Sequence, residues 1–529
     1  MGVKHALKVI GAGLLAGLVA ATVMILVMVV TRSTLGIATP AELIGDRVAP
    51  QLTIRQFFDL LRRFRGYDRL KQLGIGSSLA GMLVFGIIGG VVYALVIDRS
   101  RGSQPDRRWR FGISRAGTLL VVFLIGLAWI VSLVALWPVL GTNYFGLPPT
   151  SATFATAAGL LLDYAAYGAT LALVYRLLTS REPLAQPAPV QGNLSGRRAF
   201  LTSGVALAAA VGSGGLLARL YRRASFDYDG LTYEGPEIQP ITPNDEFYVV
   251  TKNVVDPSVA RSLWRLEIRG MVERPRDYDF GALAALPAVD QETTLTCISN
   301  PIGGGLQSNA IWRGVPLRDL IEAAGPRAGV TEVVLTGVDG YVDTFAFGKA
   351  MEPTTMVVYE MNGEPLSDRH GFPARVIVPG LVGEKNMKWV THIELVDHHV
   401  KGFYETQGWG PNFAVNMSSR FQGPSLRPAW KVGEPVGIRG TAFSGNRGIS
   451  RVEVSVDDGE TWQEAELISD GPPEAWRFWS LMWTPPQAGD YKLVVRATDL
   501  QGVVQTSTRK GIAPEAATGY HRLTANVVA

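Results

Sequence analysis

Long uncharged apolar runs separated by polar stretches fill the first 180 residues. Residues 9–30 and 73–97 carry no charge, and each run exceeds the roughly 20 residues that a helix needs to cross a bilayer. Residues 116–162 are also uncharged, but Pro138 and the Pro148-Pro149 pair interrupt them near the middle. The pattern predicts four spanning helices, the last two at about 117–137 and 151–176, and thus a lipid bilayer as partner.

A fifth uncharged stretch, residues 199–218, is rich in Ala and Gly and only weakly apolar. It follows the pair Arg197-Arg198, which precedes Phe200-Leu201 and resembles a twin-arginine export signal. Ordinary basic flanking of a spanning helix is the alternative. A twin-arginine signal would export the downstream domain already folded.

Loop charge predicts the orientation, because Lys and Arg near helix ends stay on the cytoplasmic side. The third loop, residues 138–151, has no charge, whereas the second loop is rich in arginine: Arg99, Arg101, Arg107, Arg108, Arg110 and Arg115. The N-terminus is therefore predicted inside and everything after the fifth helix outside, on the extracytoplasmic side of the cell (inner) membrane. The first loop, residues 31–72, opposes this assignment because it is predicted outside yet is also basic.

The membrane part offers few chemical groups. None of the six histidines lies in a predicted spanning helix, which excludes bis-histidine haem there, and no haem site is evident in the chain. Asp163 is the acid deep in a predicted helix, and helix–helix hydrogen bonding is its favoured role. The alternative is transport coupled to redox chemistry.

Composition changes to that of a mixed α/β domain after residue 225. Residues 264–268 alternate as a strand does, and residues 319–324 predict a short helix. Further strands are predicted at 436–438, 451–456 and 492–497, with a hairpin turn at Asp457-Asp458-Gly459. Regular short strands of this kind predict a C-terminal β-sandwich.

Cys297 is the one cysteine of the 529 residues. It follows a strand-like run, residues 293–296, and enters a loop that contains Gly303-Gly304-Gly305. A lone thiol cannot form an internal disulfide or a multi-cysteine zinc or iron–sulfur site. Three roles remain open: a buried bystander, a nucleophile, or a thiolate ligand to a metal whose other ligands come from a cofactor.

Three motifs taken together resemble the sulfite oxidase superfamily of molybdopterin-dependent oxidoreductases. They are Thr294-Leu295-Thr296-Cys297, the block from His370-Gly371-Phe372-Pro373 through Arg375 to Pro379-Gly380, and Lys388-Trp389. The resemblance runs from about residue 235 to the end. It implies a molybdenum–molybdopterin cofactor with the Cys297 thiolate on the metal, a soft ligand suited to it.

The resemblance also implies which residues bind the pterin and its phosphate. Arg375 can grip a phosphate through its planar fork, and Lys388 as a point charge. The implied cofactor-binding residues are Phe247, Tyr248, Lys252, Asn253, Cys297, Asp339, His370, Arg375, Lys388 and Trp389.

The expected architecture is multidomain. An α-helical transmembrane bundle spans residues 1–180, and the signal-like segment with the fifth helix spans 181–224. An α+β sulfite-oxidase-like molybdopterin domain follows at 225–415. The resemblance implies an immunoglobulin-like β-sandwich of the dimerisation type at 416–529, and thus a homodimer.

The expected function is two-electron oxygen-atom transfer on a small sulfur- or nitrogen-containing molecule, with electrons exchanged with a separate carrier such as a cytochrome or quinone-linked protein. Nucleic acid is not an expected partner. Arginines that usually hold sulfite in the family are replaced by Ile298-Ser299-Asn300-Pro301 and Lys252, so reduction of an S-oxide, such as methionine sulfoxide, or of an N-oxide is an equal alternative. A non-catalytic membrane assembly is the alternative of a different class.

Overall fold

The computed structural model describes residues 3–101, 115–179 and 239–529, with residues 215, 218–220, 222 and 224 between them. The twin-arginine-like segment, most of the fifth apolar stretch and much of the second loop lie outside the described residues. The described chain divides into two compact units. Unit 1 comprises residues 1–49, 61–224 and 253–256, and unit 2 comprises 50–60, 225–252 and 257–529.

Six helices form before residue 180. They are α1 Val3–Leu35, α2 Pro40–Val48, α3 Ile54–Phe64, α4 Tyr67–Arg101, α5 Arg115–Leu136 and α6 Pro149–Thr179. Helices α1, α4, α5 and α6 are long and apolar enough to cross a membrane, and they contain the four predicted runs. On α5, large apolar side chains such as Phe123 and Val134 are exposed, which suits a helix surrounded by lipid. Helices α2 and α3 were not predicted.

Small residues bring α1 and α4 close together in unit 1. A Cβ added at Gly90 would lie 2.3 Å from the carbonyl oxygen of Gly13, so only glycine permits this approach. On α6, Asp163 is buried and its Oδ1 has no hydrogen-bond partner among the described residues. The neighbouring Tyr164 makes the helix–helix bond instead, 2.7 Å to the Ser132 hydroxyl of α5.

Two five-stranded sheets and four short helices build residues 265–407. The strands are β1 Arg265–Gly270, β2 Arg276–Asp279, β3 Val289–Thr296, β4 Gln307–Pro316, β5 Glu332–Gly337, β6 Val342–Ala346, β7 Met356–Met361, β8 Glu364–Pro365, β9 Arg375–Ile377 and β10 Val390–Val396. The helices are α7 Phe280–Ala284, α8 Leu317–Ala324, α9 Phe347–Ala350 and α10 Phe403–Gln407. The predicted strand at 264–268 and helix at 319–324 are confirmed as β1 and α8.

The strand order places the core. One sheet runs β2-β1-β10-β5-β6, with β1 and β10 parallel, and the other runs β3-β4-β7-β8, with β9 also on β7. The principal core cluster includes Trp264, next to β1, and Ile393, on β10, from the first sheet, and Val357, on β7, from the second. The two sheets therefore share this core. A separate cluster, which includes Phe247 and Trp312, lies beside Cys297 and fixes the end of β3.

Residues 418–528 form one curled eight-stranded sheet. Its strands are β11 Ser418–Gly423, β12 Trp430–Lys431, β13 Val436–Phe443, β14 Ile449–Ser455, β15 Gln463–Leu467, β16 Arg477–Trp483, β17 Gly489–Asp499 and β18 His521–Val528. The order is β11-β13-β16-β15-β14-β17-β18-β12. Asp458 and Gly459 have positive φ of 64° and 98° in the turn before β15, as predicted for Asp457-Asp458-Gly459. The immunoglobulin-like topology stays a prediction.

Candidate active site

Cys297 lies at the mouth of the loop that joins β3 to β4. Its amide donates to the Leu306 carbonyl over 3.0 Å, which closes the loop, and its Sγ lies 3.1 Å from the Ser299 hydroxyl. Burial raises the pKa of the thiol, and the hydrogen bond with Ser299 opposes that rise. The half-buried sulfur is therefore oriented by a specific hydroxyl.

A cavity of about 30 Å³ opens beside Cys297, and two domains line it. Thr296, Asn300 and Gln307 come from the β3–β4 region, whereas Asn416, Ser418 and Arg420 come from β11 and the residues just before it. Most of these side chains are polar. The cavity therefore suits a small polar ligand next to the sulfur.

Arg420 supplies a positive charge to this cavity. Its side chain is nearly buried, donates to the carbonyl oxygen of Gly304, and donates through Nε to the Thr441 hydroxyl over 3.3 Å. Burial lowers the pKa of Arg420 to about 10, so the guanidinium remains charged at neutral pH. The hydrogen bonds fix its position, and its charge favours an anion in the cavity.

His521 packs against the glycine-rich loop. The amide of Phe421 donates to its Nδ1 over 3.0 Å, so the proton of the neutral ring is on Nε2. Gly303 has a φ of +75°, and a Cβ added there would lie 2.4 Å from that Nε2. Burial lowers the pKa of His521 to about 4, with the Arg420 charge acting in the same direction. A neutral histidine and a glycine thus hold the loop in shape.

The sequence-predicted residues Phe247, Tyr248 and His370 lie together, and Phe247 and Tyr248 belong to the apolar cluster that packs against Cys297. The rings of Phe247 and Tyr248 stack at 5.6 Å, and His370 meets Phe247 edge-on at the same distance. His370 Nε2 lies 2.6 Å from the Asn244 carbonyl oxygen. Burial lowers the pKa of His370 to about 3, so the ring is neutral and donates that hydrogen bond.

Arg375 is a buried cation with no acid close by among the residues that the structure describes. Its Nη1 and Nη2 donate to the carbonyl oxygens of His370 and Asn386, each over 3.1 Å, and its guanidinium lies 4.9 Å from the Trp312 ring centre. Among the described residues no carboxylate lies within ion-pair distance, and Nε is buried without a hydrogen-bond partner. Burial lowers its pKa to about 10. An anionic group would complete its interactions.

Lys388 and Trp389 lie at the end of the loop that joins β9 to β10. Lys388 donates to the Arg369 carbonyl over 3.1 Å and lies 4.3 Å from the Trp389 ring centre. The indole of Trp389 donates to the Asp368 carbonyl over 2.8 Å, and its backbone has a φ of 54°. Both side chains thereby anchor the turn that carries His370.

Lys252 and Asp339 contact each other within unit 2, whereas Asn253 belongs to unit 1. Lys252 Nζ donates to the backbone carbonyl of Asp339 over 3.0 Å, and Asp339 Oδ1 accepts from the Tyr341 amide over 3.2 Å. Asn253 belongs to unit 1, where its carbonyl oxygen accepts from Lys71 Nζ over 2.8 Å. Its role in cofactor binding stays a prediction.

A metal at Cys297 would need ligands from outside the protein. In the part of the chain that the structure describes, no group of three or more His, Cys, Asp or Glu side chains could hold a metal ion. The unpaired cation Arg375 and the lone thiol therefore fit a cofactor that brings its own metal ligands and its own negative charge.

Sequence reasoning missed Arg420, His521 and Glu384. Arg420 and His521 belong to the C-terminal sheet, for which no chemistry was predicted, and only the fold brings them to the Cys297 loop. Both carboxylate oxygens of Glu384 are buried without a hydrogen-bond partner among the described residues. The local signal for Glu384 was an acid in the sequence between two predicted cofactor contacts, Arg375 and Lys388.

Comparisons with known proteins match two domains of the chain to known families. Residues 253–404 match the family model "Oxidoreductase molybdopterin binding domain", and residues 421–527 match "Mo-co oxidoreductase dimerisation domain". The mitochondrial sulfite oxidase of Drosophila melanogaster is 31% identical over 311 residues, 49% of this chain and 54% of that protein. A tomato (Solanum lycopersicum) NADH nitrate reductase is 29% identical over 322 residues, 49% of this chain and 35% of that protein.

Among solved structures, the sulfane dehydrogenase SoxCD of Paracoccus pantotrophus has a TM-score of 0.50 at 25% identity, covering 55% of this chain and 85% of that one. The matched domains define the class of protein as a molybdopterin-binding oxidoreductase. The chain belongs to the molybdopterin oxidoreductase family that includes sulfite oxidases and nitrate reductases. It spans about half the length, or less, of the curated relatives compared above.

Proposed function

We propose that the protein is a membrane-anchored molybdenum-cofactor oxidoreductase that transfers an oxygen atom to or from a small sulfur or nitrogen oxyanion. The observation that carries the proposal is the cavity shared by Cys297 and Arg420. The sulfur of Cys297, the proposed metal ligand, and the fixed positive charge of Arg420 line the same small space. Sulfite oxidase and nitrate reductase, the relatives named above, act on anions of this size.

The cofactor would be held at several points. Cys297 would bind the metal, whose chemistry when bound is two-electron oxygen-atom exchange. Arg375, which has no carboxylate within ion-pair distance among the described residues, would pair with the cofactor phosphate, supported by Lys388. Phe247 and Tyr248, which are buried beside Cys297, would support the pterin site from behind, and Lys252, Asp339, His370 and Trp389 would complete the proposed contacts.

Arg420 would orient the substrate rather than the cofactor. Its charge would attract an anion into the cavity, and its bonds to Gly304 and Thr441 keep it from moving with the ligand. Preorganised charge of this kind needs no rearrangement during reaction. The polar lining from Asn416 and Ser418 would accept or donate further hydrogen bonds.

Catalysis would take place on the extracytoplasmic side of the cell membrane, the side that loop charge predicts for the first loop. Two observations support placing the first loop and the catalytic domain on the same side. Unit 2 includes residues 50–60 of the loop between α1 and α4, where Ile54 and Phe58 belong to the same apolar cluster as Trp409. Unit 1 includes residues 253–256, whose carbonyls at Asn253 and Val255 accept from Lys71 and Arg32.

The grouping of these segments favours the same side of the membrane for the first loop and the catalytic domain. The helices α4, α5 and α6 cross an odd number of times, so the chain would need one further crossing between residues 180 and 238. That crossing is the proposed fifth helix. The basic side chains of the first loop then serve partly as hydrogen-bond donors to protein carbonyls, which accounts for their conflict with the loop-charge rule.

A substrate screen tests the proposal. Purified holoenzyme is assayed with sulfite and ferricyanide in the oxidative direction, and with nitrate, methionine sulfoxide and trimethylamine N-oxide plus reduced viologen in the reductive one. We expect turnover of an anion to exceed that of the neutral S- and N-oxides. Preference for neutral substrates would refute the oxyanion assignment.

A further inference from the structure

A cluster of acidic and basic side chains extends from beside the Cys297 cavity to the surface. Its outer four members contact one another, whereas the innermost is joined to them by charge and by its backbone carbonyl, not by a side-chain hydrogen bond. We call it the acidic path, and its members from inside to outside are Glu384, Asp343, Lys385, Glu405 and His399. Glu384 is partly exposed as a residue although both of its carboxylate oxygens are buried, and from Asp343 outward the side-chain exposure rises. The side chains of Asp343 and Lys385 are 2% and 3% exposed, Glu405 is 13% exposed, and His399 is 55% exposed.

The inner end lies beside the cavity. Val382 lines the cavity, and a Cβ added at Gly383 would lie 3.7 Å from the Cys297 Cα. Glu384 is the next residue, and both of its carboxylate oxygens are buried without a hydrogen-bond partner among the described residues. Its charge also contributes to the raised pKa of Cys297. A buried carboxyl of this kind needs a proton, a water or a ligand.

Short contacts connect the middle of the path. Tyr341 donates its hydroxyl to Asp343 Oδ2 over 2.9 Å and lies 3.4 Å from the Glu384 carbonyl oxygen. Lys385 Nζ donates to Asp343 Oδ1 over 2.5 Å and to Glu405 Oε1 over 3.4 Å. One ammonium group thus bridges two carboxylates.

The outer end reaches solvent at His399. Its Nε2 lies 3.4 Å from Glu405 Oε2, and its Nδ1 lies 2.8 Å from Glu332 Oε1. A half-exposed histidine between two carboxylates can pass a proton between them and water.

Acids outnumber bases in the buried part. Glu384, Asp343 and Glu405 are three acids near the single ammonium of Lys385, so the cluster is neutral only when it also holds two exchangeable protons. Burial raises the pKa of Asp343, and it raises the pKa of Glu384 well above its usual range, with the Asp343 charge adding to the effect. Tyr341 is also pushed well above its usual pKa, mainly by burial.

We propose that the acidic path carries protons between the Cys297 cavity and solvent. The inference rests on the proposed function, because oxygen-atom transfer from water requires such a route. In the oxidative direction two O–H bonds of water break, one bond from oxygen to substrate forms, and two protons and two electrons are released. The electrons go to a carrier protein, and the protons leave through the path. The reductive direction uses the same path inward.

The first test follows electron and proton uptake without any substrate. Protein-film voltammetry of the holoenzyme measures the rate of cofactor reduction, as the scan rate above which the reduction peak shifts because proton uptake is slower than the change in electrode potential. We expect His399→Ala to slow this proton-coupled reduction on the order of tenfold and added imidazole to restore it. His398→Ala is the matched control, because His398 is an exposed neighbour that pairs with Asp397 and lies outside the path.

The second test reads the inner carboxyl directly. Infrared spectroscopy of the holoenzyme at neutral pH should show a protonated-carboxyl band that shifts in D₂O and is lost in Glu384→Gln. An unchanged reduction rate in His399→Ala, or a band that survives in Glu384→Gln, would overturn the acidic path while leaving the proposed function intact. The absence of any metal redox signal in the parent would overturn both.

Discussion

The guanidinium of Arg420, on a strand of the C-terminal sheet, donates to the carbonyl oxygen of Gly304 in the loop that follows Cys297. A residue more than a hundred positions away in sequence therefore helps to shape the cavity beside the sulfur. The C-terminal sheet contributes to the candidate active site as well as matching a dimerisation domain.

Arg420→Gln should weaken binding of an anionic substrate. Loss of a charged hydrogen-bonding partner typically costs about 2–5 kcal/mol when the interaction is desolvated, so we expect KM for the anion to rise about 30-fold or more. Steady-state kinetics check this. Arg451→Gln is the control, because Arg451 is an exposed arginine on β14 that contacts Glu453. An unchanged KM with a lower kcat would contradict a role in substrate binding.

Gly303→Ala should destabilise the protein more than the same substitution at another glycine with a left-handed backbone. Gly433 has the same φ of +75° with no atom within 4 Å of an added Cβ, whereas the Cβ at position 303 would meet His521. We expect Gly433→Ala to cost about 1–2 kcal/mol and Gly303→Ala at least about 1 kcal/mol more. Thermal melting of each variant, and of Gly303→Ala with His521→Ala, measures the difference. Equal melting temperatures for the two single variants would refute the steric contact.

His521→Gln should reduce the loss of stability in mild acid. The folded pKa of about 4 lies below the usual histidine value near 6.5, so the unfolded state binds a proton that the folded state rejects. Stability therefore falls as the pH drops from about 6.5 towards 4, by up to about 3 kcal/mol from this residue. Gln can still accept the Phe421 amide but does not titrate. Melting temperatures measured across this pH range should fall less steeply in the variant, with His398→Gln behaving as the parent does.

Cysteine labelling should place the first loop and the catalytic domain on the same side of the membrane. Cys297→Ser gives a cysteine-free chain, into which Arg55→Cys, Ser103→Cys or Asp397→Cys is introduced. An impermeant maleimide added to intact cells should label positions 55 and 397 and should reach position 103 after permeabilisation. Labelling of 55 and 397 from opposite sides would exclude the proposed fifth crossing.

The elements that depend on local pattern could be predicted from the sequence. The four long apolar helices, β1, α8 and the turn at Asp458-Gly459 follow from apolar runs, alternation and turn residues, all of which act over neighbouring positions. Helices α2 and α3 were missed because they are short and partly charged. The capping box of Thr39 with Glu42 was the local signal for α2.

Some residues of the candidate site could be predicted from local sequence, and others could not. Cys297, His370, Arg375 and Lys388 stand in compact motifs, so their resemblance to a known family could be recognised without a fold. Arg420 and His521 could not be predicted, because their positions depend on packing of the C-terminal sheet against the Cys297 loop. Contacts between residues this distant in sequence leave no trace in local periodicity.

Cys297 is proposed to bind the metal of a molybdenum–pterin cofactor. The most direct measurement is the molybdenum and pterin content of the purified parent chain beside Cys297→Ser, both produced in a host that makes the cofactor. We expect one molybdenum and one pterin per chain in the parent, with metal lost or its spectrum altered in the variant. Neither metal nor pterin in the parent would contradict the account.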